Sequence, residues 1–295
     1  MTESMEKSLS NLVSRFPYPL SFVRQKQNFS VFRDGEGRLY HLYSLKKRDY
    51  LLYLELSKSS KIEKCIFETR DKDNYYLLYP CVNMPSEPLS VLHKLYPLLE
   101  EVFQDFTFAI TLKKEHFTNL NNIYKVLDNK FTYFEMRIRE IEVMPQKNDI
   151  SWIVLSKYYI LLDAKMYLYD LQQDIFGFID KNTTVDYGLI FRSLTVENFK
   201  NKQLEPSFQV YLGPFGMLLG RLFFYFDHLN IQDFFKEKLK KCDEFNQKYF
   251  CFMVIYIYIL NMNLDILLNP YNIGNYLQLT KKISSFIRDF GDYLK

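Results

Sequence analysis

Phe191-Arg-Ser-Leu-Thr-Val-Glu-Asn198 and, shortly after it, Phe208-Gln-Val-Tyr-Leu-Gly-Pro214 set the class of this 295-residue chain. Both stretches interrupt a long helical pattern. Residues 184–191 are short and β-like, 194–203 read as a loop or turn, and 208–212 alternate as a strand does. A small β insert inside a helical region marks an α+β chain.

Ahead of the insert lie two long helices. Phe117, Leu120, Tyr124, Leu127, Phe131, Phe134, Ile138 and Ile141 alternate spacings of three and four, which makes one apolar stripe along a helix that Pro145 ends. Asp149 or Ser151 can cap the next helix. There Trp152, Leu155, Tyr159, Leu162, Met166, Tyr169 and Phe176 form a matching stripe. Both stripes are expected in the core of an antiparallel helix pair. After the insert, 215–228, 231–246, 248–268 and 275–294 read as helices, and no internal repeat is visible.

The first part of the chain has a different character. Residues 1–15 read as a short polar helix or an arm, and Phe16-Pro-Tyr-Pro19 breaks any helix. Residues 29–33 and 38–45 read as strands around the turn Asp34-Gly-Glu-Gly37, with room for one more strand before Phe29. Residues 49–58 read as a helix, and 62–69 with 75–82 as a second hairpin around Asp71-Lys-Asp-Asn74. Pro80, Pro85 and Pro88 mark a connector into a helix over 90–106. The expected organisation is an arm at 1–15, a β-rich lobe with one helix at 16–84, and a helical lobe at 85–295.

Composition narrows the function. Hydrophobic residues make up 48% and aromatics 18%, with only 9 Gly and 10 Pro, which suits a compact fold rather than disorder. A formal net charge of +3 is too small to suggest a nucleic-acid partner. The cluster Lys236, Lys238, Lys240 and Lys241 is interleaved with Glu237, Asp243 and Glu244, as on a solvated helix face. Cys65, Cys81, Cys242 and Cys251 form no CxxC pair and read as reduced thiols. His41, His93, His116 and His228 are scattered, without zinc-ligand spacing. The most apolar run, 249–260, is too short to span a bilayer and reads as a buried helix. No signal peptide is visible, so an intracellular, soluble protein is expected.

The order of a β-rich lobe, a proline-marked hinge and a helical lobe with a β insert resembles the protein-kinase-like fold. Protein kinases carry H-R-D-L-x-x-x-N. At 191–198 the Arg, Leu and Asn of that motif are kept as Arg192, Leu194 and Asn198. The Phe-Pro-Tyr-Pro start, the run Tyr75-Tyr-Leu-Leu-Tyr-Pro80 and the Tyr-rich helices look most like the aminoglycoside/choline phosphotransferase group, and within it the spore-coat-associated branch. The likeness covers roughly 16–290, and no motif is intact.

What the resemblance implies can be checked position by position. A kinase needs a Gly-rich loop over the phosphates, a strand Lys paired with a helix Glu, a base Asp, and an Asn with an Asp on Mg²⁺. The loop would fall at 24–28, which lacks glycine. Lys46 or Lys47 would stand for the strand lysine and Glu55 for the helix glutamate, as a vestigial pair or as unrelated surface charges. Phe191 and Ser193 replace the His and base Asp, Leu212 replaces the metal Asp, and Asn198 persists. A serine hydroxyl cannot take a proton near neutral pH as a carboxylate does, and Leu212 offers Mg²⁺ no oxygen. The resemblance therefore implies a pseudokinase without cofactor or metal that binds a protein, with spore coat or forespore assembly as its setting. Two alternatives stand beside it. One is an active ATP-dependent small-molecule phosphotransferase in which a nearby carboxylate, Asp186 or Asp180, is relocated to face Asn198. The other is an unrelated α+β scaffold that oligomerises through aromatic surface, favoured if 29–45 and 62–82 fail to form one sheet carrying helix 49–58.

Overall fold

The computed structural model describes residues 16, 19–26, 29–71, 74–81, 88–113, 115, 118–147, 149–191, 199–200, 203–205, 210–263 and 272–294. The arm at 1–15, most of the connector and Arg192 through Asn198 lie outside them. The chain divides into two compact units, residues 1–106 with 189–211 and residues 107–188 with 212–295.

The first unit is built on five antiparallel strands, β1 (Leu20–Gln25), β2 (Ser30–Asp34), β3 (Leu39–Lys46), β4 (Phe67–Asp71) and β5 (Asn74–Pro80), in the order β1-β2-β3-β5-β4. The room left before Phe29 is filled by β1. The turn between β2 and β3 is fixed by its first residue. Asp34 Oδ1 accepts the backbone N–H groups of Glu36 and Arg38 at 2.9 Å, while Oδ2 accepts Arg38 Nε at 2.8 Å and Tyr40 Oη at 2.9 Å. Burial opposes the charge on Asp34, but these hydrogen bonds outweigh it and hold the carboxyl at about 2. Gly37, at φ 83°, takes the left-handed position the turn requires.

Helix α1 (Lys47–Leu56) packs Tyr53 on one face of the sheet, against Val31, Tyr43, Leu45, Leu77 and Tyr79. The other face gathers Phe16, Leu20, Phe32, Tyr40, Leu42 and Leu78. One sheet carrying one helix is what the kinase-like layout requires, and it removes the motive for the unrelated-scaffold reading. Helix α2 (Pro88–Asp105) belongs to this unit. Ser59 donates to Asp105 at 2.6 Å, and Lys61 pairs with Glu101. These ties put the boundary after α2, whereas the prolines at 80–88 suggested residue 84.

The second unit is helical. It contains β6 (Phe108–Thr111), α3 (Thr118–Glu142), α4 (Asp149–Asp180) and the first part of β7 (Thr184–Phe191). After the short strands β8 (Phe199–Lys200) and β9 (Gln203–Leu204) of the first unit, β10 (Val210–Pro214) leads into α5 (Phe215–Phe226), α6 (Gln232–Leu239), α7 (Glu244–Asn261) and α8 (Asn272–Leu294). Strand β6 pairs antiparallel with β7, Ala109 opposite Asp186. Its four residues are too few to show a period in the sequence. The continuous helix expected over 231–246 is broken, because Asp243 caps α7 by accepting Asn246 N–H at 2.8 Å.

Helix α7 is the centre of this unit, buried around most of its circumference. It decides which faces of α3 and α4 turn inward. On α3 the expected stripe is buried at Tyr124, Leu127, Phe131, Phe134, Ile138 and Ile141, with Tyr124 against Phe252 of α7. On α4 the expected stripe is the wrong one. Trp152, Tyr159, Leu162, Met166 and Tyr169 are exposed, and Leu155 and Phe176 are half-buried. Val154, Leu161, Ala164, Leu168, Leu171 and Ile175 are buried instead. Helix α4 is apolar on nearly every side, so two stripes fit the period, and contact with α7 and α8 selects between them. Lys248 of α7 meets Asp174 at 2.8 Å, and Tyr276 of α8 donates to the Val154 carbonyl at 2.9 Å. The α3 and α4 helices still run antiparallel, joined by Lys165–Glu135 at 2.6 Å and Tyr169–Asp128 at 2.5 Å.

Helices α5 and α7 approach at two glycines. A Cβ on Gly216 would lie 2.1 Å from the Asn246 carbonyl oxygen, and one on Gly220 2.7 Å from Met253 Cβ. Gly177 of α4 has open space. Gly216→Ala is expected to lower unfolding stability by about 2 kcal/mol or more, since backbone must move. Gly177→Ala is expected to raise it by roughly 0.5–1 kcal/mol through helix propensity. Urea unfolding of the two variants checks both signs.

Candidate functional site

Strand parity decides what β3 can present to α1. Side chains alternate across a strand, so His41, Tyr43 and Leu45 share the α1 face, while Tyr40 and Leu42 face away. Lys46 has the outward parity, is exposed, and directly precedes α1 as its N-cap. Glu55 lies at the far end of α1, also exposed, and pairs with Lys58 at 2.5 Å. Lys46 and Glu55 are thus surface charges rather than a vestigial pair, both pointing away from the surface between strand and helix, where Tyr53 and Leu56 are buried, and Lys47 is exposed as the first residue of α1.

A different charged group holds that face of β3. Residues 203–205 dock beside 61–63 through Leu204 N–H to Lys61 O at 2.7 Å and Glu63 N–H to Leu204 O at 2.8 Å. Glu205 follows and is fully buried. Its carboxylate accepts His41 Nδ1–H at 2.9 and 3.1 Å and the Tyr43 hydroxyl at 2.5 Å. Phe29 covers the imidazole at 4.2 Å between ring centroids.

Burial alone would push the His41 imidazole down, but hydrogen bonds with Cys81 and Glu205 and the carboxylate's charge reverse this and raise it to about 9. His41 is thus an imidazolium at neutral pH, unable to act as a base. Around it, burial pushes the hydroxyls of Tyr53 and Tyr79 and the thiol of Cys65 upward, away from their reactive forms. The Glu205, His41 and Tyr43 side chains are bonded to one another, and the hydroxyls of Tyr53 and Tyr79 and the Cys65 thiol keep their protons near neutral pH.

The other predicted positions fall as follows. Phe191 is buried at the end of β7. Leu212 is 53% exposed on β10 and brings only hydrocarbon. Ser193 and Asn198 lie outside the described residues. Asp186 is exposed on β7, and Asp180 is exposed at the end of α4. At the expected phosphate loop, Arg24 and Gln25 belong to β1, and Lys26 N–H bonds Phe29 O at 2.9 Å. Among the described residues no group of three or more His, Cys, Asp or Glu could hold a metal ion. Sequence reasoning missed Glu205 and its partnership with His41; the two are 164 positions apart, and neither belongs to a local motif.

The raised His41 sets a pH window. A base whose folded pKa exceeds its unfolded value stabilises fully below about 6.5 and loses that contribution as pH rises through about 9. Unfolding free energy is expected to fall between those limits by up to ~3 kcal/mol from this group. Glu205→Gln should be less stable at pH 6 and show a flatter slope, as read by urea unfolding at stepped pH.

No protein-family model matches this chain, and no curated protein does. Solved structures do. The aminoglycoside phosphotransferase of Alicyclobacillus acidocaldarius subsp. acidocaldarius is similar with a TM-score of 0.67 at 10% identity, covering 96% of this chain and 95% of that one. The aminoglycoside phosphotransferase APH(4)-Ia is similar with a TM-score of 0.52 at 11% identity, covering 97% and 98%. At such identities the likeness is one of fold. The chain has the kinase-like fold of the aminoglycoside phosphotransferases.

Proposed function

We propose that this chain is a kinase-fold binding protein that does not transfer phosphate and whose ligand is another protein. The observation that carries the reading is the Glu205 carboxylate on the α1 face of β3. In kinases a lysine of the third strand reaches the α- and β-phosphates. Here the polar groups on that face are His41 and Tyr43, and both are already bonded to a buried anion of the chain itself. Among the described residues β3 turns no lysine or arginine to that face, and a buried carboxylate repels phosphate.

Two further features support the reading. Leu212 at the metal-ligand position supplies no oxygen for Mg²⁺, and Ser193 at the base position supplies no carboxylate. The sequence likeness to the spore-coat-associated branch makes a coat or forespore assembly protein the favoured partner. The fold likeness favours a competing reading, an active ATP-dependent small-molecule phosphotransferase. That reading requires a relocated carboxylate, and Asp186 is exposed on a strand rather than gathered into a cluster.

Thermal unfolding with ATP, with and without Mg²⁺, separates the two. A nucleotide at one hundred times its dissociation constant would stabilise by ~2.7 kcal/mol. The expected result is no Mg²⁺-dependent shift and no phosphate release with aminoglycosides present. A metal-dependent shift accompanied by turnover would overturn the proposal.

A further inference from the structure

Glu205 takes only one side of the His41 ring. Nδ1–H belongs to that carboxylate, and the ring's other hydrogen-bond partner is the Cys81 side chain. Strand register explains the meeting. Tyr79 of β5 stands opposite His41, and Cys81 N–H donates to the Leu39 carbonyl at 2.7 Å, which continues the pairing past the end of β5. Cys81 is two residues on from Tyr79 and so keeps its face, diagonal to His41.

Thiol, imidazole and carboxylate therefore stand in a row, Cys81–His41–Glu205. A cysteine nucleophile uses this order: sulfur against a ring whose far side is held by a third group. Burial separates the roles. Glu205 and His41 are sealed from water, whereas Cys81 is only half-buried. The reactive form of a cysteine is the thiolate, and positive charge fixed at the sulfur favours it. His41 supplies that charge, since the ring keeps its proton at neutral pH.

The other three cysteines lack this setting. Cys65 meets the Tyr53 hydroxyl at 3.2 Å, and burial with the charge of Glu68 pushes its thiol up. Cys251 is fully buried and is pushed up by that burial. Cys242 donates to the Lys238 carbonyl at 3.5 Å.

We propose that Cys81 is a modification site, the thiol through which this chain forms reversible mixed disulfides with small disulfide molecules. The Cys81 sulfur attacks one sulfur of the disulfide. A new S–S bond forms, the old one breaks, and the second sulfur leaves as a thiolate. The thiol proton of Cys81 passes to solvent or to that leaving sulfur. The small disulfide is the oxidant, reduced as Cys81 is oxidised, and no other co-reactant is needed. The adduct takes Cys81 from the ring, so the His41 midpoint falls. The site stands whether the chain binds a protein or a nucleotide.

The full chain is mixed with dithiobis(nitrobenzoate) at pH 6, where ordinary thiols are almost wholly protonated. Release of the coloured thiolate is followed for the native chain and for the chain in urea. The first native equivalent should appear about ten-fold faster than the cysteines of the unfolded chain react. Mass mapping should place that adduct on Cys81, and Cys81→Ser should abolish the fast phase. NMR of the modified chain should show a His41 midpoint below about 9. A first adduct on Cys65 or Cys242, a native rate no faster than the unfolded one, or an unmoved His41 midpoint overturns the proposal. Mapping uses the unsubstituted chain, so the outcome does not depend on whether Cys81→Ser folds.

Discussion

A carboxylate removed from water must be satisfied from within the protein, and Glu205 is satisfied by the His41 imidazolium and the Tyr43 hydroxyl. That requirement reaches across the chain. His41 and Tyr43 sit on the third strand, whereas Glu205 follows the insert and arrives only because residues 203–204 bond beside 61–63. The pair therefore returns residues 189–211 to the unit built on the first 106. A buried ion pair is weak evidence for net stability, since desolvation offsets much of its attraction. Its consequence here is placement: a misdocked segment would leave one charge buried and unpaired, which costs several kcal/mol.

The same pair shapes the chemistry. A kinase fold can lose its catalytic groups and still position its elements, because phosphoryl transfer depends on a few charges held at set places. In this chain the α1 face of β3 holds an anion-bound histidine and tyrosine, and β10 holds Leu212. The second unit turns the apolar row Trp152, Tyr159, Leu162, Met166 and Tyr169 of α4 outward.

Much of the fold could be read from local pattern. The turn at Asp34 to Gly37 was legible because one aspartate and two glycines dictate it, and the buried stripe of α3 because that helix has a polar side for contrast. The outward stripe of α4 was misassigned for the opposite reason: an apolar residue lies at almost every turn on each face, and α7 makes the choice. Lys46 and Glu55 have plausible identities, but one points off the sheet and the other off the helix. His41 looked like one of four scattered histidines, and Glu205 stands in no motif. Their partnership is a tertiary fact with no period, spacing or motif behind it.

The central claim is that the α1 face of β3 is closed by the chain's own ion pair, and NMR of the His41 ring nitrogens tests it most directly. The account predicts both nitrogens protonated at pH 8, a midpoint near 9 and no change on adding ATP with Mg²⁺. A midpoint near the ordinary 6.5, or ring signals that move with nucleotide, would contradict it.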